Sequence, residues 1–110
     1  MVKRMASRIV IIEDEKDIVR LLKFNLEKEG FATKCAFDGN AGLEAARLEH
    51  PDLVVLDLML PGIMGTEVCK ALRKDPRTAR IPVRSKAWEL ATWIVRPGRS
   101  LEFRIRFKGL

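Results

Sequence analysis

Histidine is nearly absent from this sequence: His50 stands alone, so neither a histidine metal cluster nor a Ser-His-Asp triad of the usual kind can be assembled. It precedes Pro51 in a polar connection and reads as an exposed loop residue without a role. Cysteine is scarce as well. Cys35 and Cys69 sit in apolar contexts without metal-ligand spacing and read as buried, reduced thiols. No Gly-rich phosphate loop is present, which leaves nucleotide binding without a motif. Long apolar runs are missing too: the stretch 9–12 is far too short for a signal-peptide core or a membrane span. Lys3, Arg4 and Arg8 therefore do not make a secretory signal, and the expectation is a cytoplasmic protein with no membrane partner.

What is present describes one compact domain. The chain has 110 residues, 47% apolar and 33% charged, a globular balance whose length predicts a single domain over 1–110 with no room for an output module. The charge is unevenly spread. Residues 1–79 hold 13 basic and 13 acidic residues, whereas residues 80–110 hold 8 basic residues against Glu89 and Glu102. The whole net charge of +6 thus lies in the last stretch, with both tryptophans, Trp88 and Trp93. Composition breaks at about residues 81–84.

Before that break, two patterns alternate. Residues 8–12 form a β-branched run that stops at acids, as a buried parallel strand would. From Asp17, Ile18, Leu21, Leu22 and Leu26 fall at helical spacing, and Gly30 stands where a C-terminal cap belongs. Residues 31–37 read as a second strand, closed by Asp38-Gly39, and Asn40 is the expected N-cap of a helix containing Leu43, Ala46 and Leu48. Leu53-Val54-Val55-Leu56 is the most apolar run and ends in Asp57. Pro61 and Gly62 mark a loop, and a helix follows from about Thr66, with Val68, Leu72 and Cys69 inward and Asp75-Pro76 closing it. Ile81-Pro82-Val83 begins a fourth strand. Such alternation predicts an α/β fold, a doubly wound parallel sheet with helices on both faces.

In such sheets, ligands bind beyond the carboxyl ends of the strands. Glu13 and Asp14 follow the first strand and Asp57 ends the third, so an order 2-1-3 would bring them into one pocket. Converging carboxylates repel unless they hold a hard cation, and oxygen ligands alone favour Mg²⁺ over zinc. An Asp beside that metal can act as a nucleophile towards phosphorus. Against this stands the plainer reading of solvated acids at strand ends, with Glu15 and Asp17 favouring a helix N-terminus.

These segments resemble the receiver domains of two-component response regulators. Ile9-Val10-Ile11-Ile12-Glu13-Asp14-Glu15 is similar to their first-strand signature, an apolar run followed by acids. Asp52-Leu53-Val54-Val55-Leu56-Asp57-Leu58-Met59-Leu60-Pro61-Gly62 is similar to their phosphorylation-site segment, and Met64-Gly65-Thr66-Glu67-Val68-Cys69 to the start of their third helix. The resemblance covers about residues 8–83 and is closest to receivers of winged-helix transcriptional regulators. It implies a flavodoxin-like sheet of order 2-1-3-4-5 and a signalling module, not an enzyme acting on a separate substrate. By likeness Asp57 is the phosphoacceptor for a sensor histidine kinase. Asp14 would ligate Mg²⁺ directly, Glu13 through water, and the Met59 carbonyl would be a further ligand. Homodimerisation or an output domain would be the downstream partner.

After Val83 the likeness weakens. The family ends its fourth strand in Ser or Thr, and here Ser85 is the nearest hydroxyl, out of register for a simple match. The family ends its fifth strand in Lys-Pro, and here Trp93-Ile94-Val95-Arg96-Pro97 offers Arg96 instead, whose planar fork is not equivalent to an ammonium. Ser85 and Arg96 are thus the candidate phosphate contacts. Only ten residues separate Val83 from Ile94, fewer than the dozen or so a parallel crossover needs. Two strands, 91–95 and 101–107, joined through Pro97-Gly98 are the alternative, because Leu101, Phe103, Ile105 and Phe107 alternate with Glu102, Arg104, Arg106 and Lys108. Truncation, deletion or an altered reading frame would also fit the break. The competing functions are a receiver-like module that no longer switches, a basic tail meeting nucleic-acid phosphates (a solvated face is the commoner explanation) and, more distantly, a Mg²⁺-dependent phosphatase. The phosphatase lacks its second acid, since Met59 occupies that place.

Overall fold

The computed structural model describes residues 7–57, 60, 63–85, 91–95 and 101–105; for Ser85 and the last two segments it describes the backbone path alone. Their order is β1 (Arg8–Ile12), α1 (Lys16–Lys28), β2 (Ala32–Ala36), α2 (Gly39–Glu49), β3 (Leu53–Leu56), α3 (Gly65–Lys74), β4 (Val83–Ser85), β5 (Ala91–Val95) and β6 (Leu101–Ile105).

Strands β1 to β4 form one parallel sheet in the order 2-1-3-4. The two apolar runs of the sequence lie side by side at its centre: Ile9 to Ile12 pair in register with Leu53 to Leu56. All eight of these residues are at most 2% exposed. A strand buried on both faces needs no alternation, which is why β1 and β3 read as unbroken apolar runs. On one face Val10, Ile12, Val54 and Leu56 meet Leu43 and Ala46 of α2 and Val68 and Leu72 of α3. On the other, Ile9, Ile11, Leu53 and Val55 meet Leu26 of α1 and Phe31. Each such aliphatic side chain contributes about 1.5–3 kcal/mol when fully buried.

Helix α1 turns inward most of the expected apolar positions, with Val19 added and Leu21 left out. Val19 and Leu26 are buried and Leu22 partly so, while Leu21 is 51% exposed. Ile18 is half-buried. Gly30 follows with φ +97°, the left-handed turn for which glycine suits the end of the helix. Asp38, not Asn40, caps α2: its backbone is extended and its Oδ1 accepts from the Ala41 amide at 2.8 Å. Leu48 is 67% exposed and plays no part in the core. His50 is exposed and takes the left-handed conformation (φ 47°) at the α2 C-terminus. Cys35 and Cys69 are free and half-buried, less enclosed than expected. Asp75, after α3, accepts from Arg47 of α2 at 3.0 Å and from Arg77 at 2.8 Å, joining the two helices. The buried Thr78 hydroxyl donates to the Leu72 carbonyl at 2.7 Å.

The fifth place of the parallel sheet is not taken by Ala91–Val95. This strand pairs antiparallel with Leu101–Ile105, Trp93 opposite Phe103, in a separate two-stranded sheet. The physical reason is chain length: residues 86–90 are all that link β4 to β5, too few for a crossover back to a parallel neighbour. Among the described residues, therefore, the order is 2-1-3-4 with a rearrangement after the fourth strand.

Candidate functional site

Two ladder bonds carry the sheet one residue beyond its strands. The Glu13 amide donates to the Ala36 carbonyl at 3.0 Å and the Asp57 amide to the Ile12 carbonyl at 2.9 Å. Glu13 and Asp57 are thereby fixed on adjacent strands at the carboxyl edge of the sheet, 1% and 5% exposed. The next backbone amide but one holds Glu13 in place, since Glu15 N donates to Glu13 Oε2 at 3.0 Å. Asp14 lies exposed between them in sequence, at the start of the turn into α1.

One carboxylate oxygen from each of Glu13, Asp14 and Asp57 lies within 4.8 Å of the other two. At that separation each pair of like charges repels by about 3 kcal/mol at an effective dielectric of about 20. Burial of two members removes water that would otherwise screen them. The arrangement fits a hard divalent cation: the donors are all oxygen, at least one is exposed for exchange, and neither imidazole nor thiolate belongs to the group. Pulling two of three acids out of water only to set them against each other would otherwise be costly.

The family profile described as "Response regulator receiver domain" matches residues 9–94. The chain belongs to the response-regulator receiver family. Solved structures agree. The N-terminal domain of a response regulator receiver protein from Methanoculleus marisnigri is 36% identical, with a TM-score of 0.69, covering 71% of this chain and 63% of that one. The signal receiver domain of a DNA-binding response regulator from Colwellia psychrerythraea is 32% identical, with a TM-score of 0.67, covering 72% and 66%. A chemotaxis protein of Vibrio cholerae, 22% identical with a TM-score of 0.70 over 73% and 67%, shows the shared fold alone. The chain thus spans about two thirds of the length of these receivers. The flavodoxin-like order 2-1-3-4 is that of a receiver, and the separate antiparallel pair lies where this receiver's order changes.

The other residues named from the sequence are placed less fully. Ser85 ends β4 opposite Leu56, so its backbone stands in the row before Asp57. Met59 and Arg96 lie outside the described residues. The bond from the Glu15 amide to Glu13 could not be foreseen, because a bond between a backbone amide and a side chain two residues earlier leaves no mark on residue type. Among the described residues, no helix is long and apolar enough to cross a membrane.

Proposed function

We propose that this receiver accepts a phosphoryl group on Asp57 from the phosphohistidine of a sensor kinase, with Mg²⁺ held by Glu13, Asp14, Asp57 and the Met59 carbonyl. The observation that carries the reading is the approach of three carboxylates at the ends of β1 and β3, two of them buried. Bound there, Mg²⁺ would supply positive charge that offsets the charge on the phosphoryl oxygens, where phosphoryl transfer needs it. The Asp57 carboxylate, at a strand end whose backbone amide is bonded to the Ile12 carbonyl, meets phosphorus in line. An oxygen–phosphorus bond forms, the phosphorus–nitrogen bond of the donor breaks, and the departing imidazole keeps the electron pair. The transfer ends on the protein's own Asp57, so the chain signals and is no enzyme towards a separate substrate. Ser85 and Arg96 are the candidate contacts for the transferred group. The same reading takes 1–110 as one domain with a family-like part over 1–83 and an altered basic part over 84–110. It places the chain in the cytoplasm, with an output domain or a second copy as partner, a part in transcription control, and no direct nucleic-acid contact.

A second reading is favoured by one observation: β4 stops opposite Leu56 and the next strand leaves the parallel sheet. In that reading the acid site binds metal and phosphoryl group while the surface beyond β4 does not respond. Mapping an acyl phosphate after labelling with phosphoramidate and Mg²⁺ tests the first claim; label that persists in Asp57→Asn would remove Asp57 from the role. Amide NMR shifts on adding a beryllium fluoride phosphate mimic separate the two readings. Shifts reaching β4 and beyond support switching, and shifts confined to residues 13–15 and 57 support the silent module.

A further inference from the structure

A second feature of the molecule lies on the opposite side of β1 from β3, where α1 borders β2. The groove there is lined by Lys16, Arg20 and Lys23 from α1 and by Thr33, Lys34, Cys35 and Phe37 at the β2 wall, where Lys34, paired with Val10, turns its side chain to the face away from α1. Lys23 is engaged with Glu27 at 2.8 Å, and Arg20 stands 3.7 Å from Asp17 with both side chains exposed. Lys16 and Lys34 enter no ion pair among the described residues. The floor is apolar: Val19 is 5% exposed, Cys35 half-buried, and Phe37 45% exposed at the open end. Burial pushes the Cys35 thiol up from its ordinary range, so it stays neutral at physiological pH and adds no negative charge.

We propose that this groove docks an extended acidic segment of a partner protein, laid along the outer edge of β2. Three observations carry it. First, β2 is the end strand of the sheet, paired on one side by β1 alone among the described residues, so its outer backbone edge can accept another strand. Second, Lys16, Arg20 and Lys23 are spaced four and three residues apart, which a helix sets at roughly 6 and 4.5 Å along its axis. Alternate side chains of an extended strand recur every ~6.6 Å, so acids two positions apart can meet Lys16 and Arg20, while Lys23 stays engaged with Glu27. Third, the apolar floor and the half-exposed Phe37 ring lie on the same face of β2 as the α1 cations, where they suit the methylene stems of those acids. A second copy of this chain fits poorly, since its own β2 edge would bring the same cations against these, and Lys on an edge strand discourages like pairing. The groove's lining includes none of Glu13, Asp14 and Asp57, so the inference stands or falls separately from phosphorylation.

The test titrates the full 110-residue chain with the peptide Glu-Val-Glu-Val-Glu-Val and follows backbone amide shifts. Shifts concentrated in residues 16–23 and 32–37 are expected, with affinity falling at least about tenfold in Lys16→Glu/Arg20→Glu and in the milder Lys16→Gln/Arg20→Gln. Lys70→Glu, on exposed α3, should bind as the parent does. Unchanged affinity in the groove variants, or shifts centred elsewhere, would overturn the proposal. So would equal binding of Glu-Ser-Glu-Ser-Glu-Ser, which would reveal an unspecific anion patch. Tighter binding of a single-stranded oligothymidylate at the same residues would assign the groove to nucleic acid and overturn it too.

Discussion

The Asp57 amide donates to the Ile12 carbonyl at 2.9 Å, and that bond sets the Asp57 carboxylate beside the acids that follow Ile12. Because β1 and β3 pair in parallel, both chains deliver their next residues to the same edge of the sheet. Acids that are 43 and 44 positions apart in sequence thus come within 4.8 Å of one another. The site is a product of strand order, and its precision depends on the core that fixes the register.

That core leaves no room at Gly42. A Cβ there would meet Ile12 Cγ1 and Cγ2 at 2.7 and 2.8 Å. Alanine gains about 1 kcal/mol of helix propensity, but overpacking typically costs about 1–3 kcal/mol. Gly42→Ala is expected to lower stability by roughly 1 kcal/mol in urea denaturation. It should also weaken metal binding, since Ile12 immediately precedes Glu13.

Gly30 poses the opposite case. Nothing lies within 4 Å of a Cβ built there, but φ is +97°. Gly30→Ala is expected to cost about 1–2 kcal/mol through backbone conformation alone, with metal affinity unchanged. Thermal denaturation beside a metal titration checks both halves.

Asp75 couples stability to acid. Hydrogen bonds from the Arg77 side chain and backbone, then from Arg47, hold its carboxyl well below the usual carboxylate range. A carboxylate with a depressed folded pKa stabilises above its unfolded pKa of about 3.9, and that contribution is lost as pH falls through the folded value. Asp75→Asn is expected to be less stable than the parent at pH 7, with the difference narrowing below about pH 4. Denaturant midpoints at pH 7 and at progressively lower pH show whether the two curves converge.

At the acid cluster, Asp14→Asn should reduce Mg²⁺ affinity by at least about tenfold in calorimetry, the lower range seen even for groups that only support a ligand. Asp52→Asn serves as the control, because its Oδ2 accepts from the Arg8 amide at the other end of β1, away from the cluster. Equal losses in the two variants would count against a defined metal site.

Much of this was legible in the sequence, for physical reasons. Strands buried on both faces appear as unbroken apolar runs, so β1 and β3 announced themselves, and the acids ending them followed. The exact inward stripe of α1, with Val19 in place of Leu21, was not legible. Ile18, Val19, Leu21, Leu22 and Leu26 cover more than one face, and periodicity cannot choose between adjacent stripes when both are apolar. Asp38 and Asn40 are both good caps, and the choice fell to the residue whose backbone is extended just after β2 ends. The antiparallel pairing of β5 with β6 could be read from strict alternation in 101–105 and from the short link before Ala91, against the family pattern that placed Ala91–Val95 in the parallel sheet.

The measurement that bears most directly on the account is the rate of phosphoryl incorporation from a small phosphodonor, followed by intact mass on folded protein. It is run with Mg²⁺, with a chelator, and in Asp14→Asn and Asp57→Asn. One phosphoryl group is expected on the parent chain in Mg²⁺, little with chelator or in Asp14→Asn, and none in Asp57→Asn. Incorporation that is indifferent to Mg²⁺, or that survives loss of the Asp57 carboxylate, would contradict it.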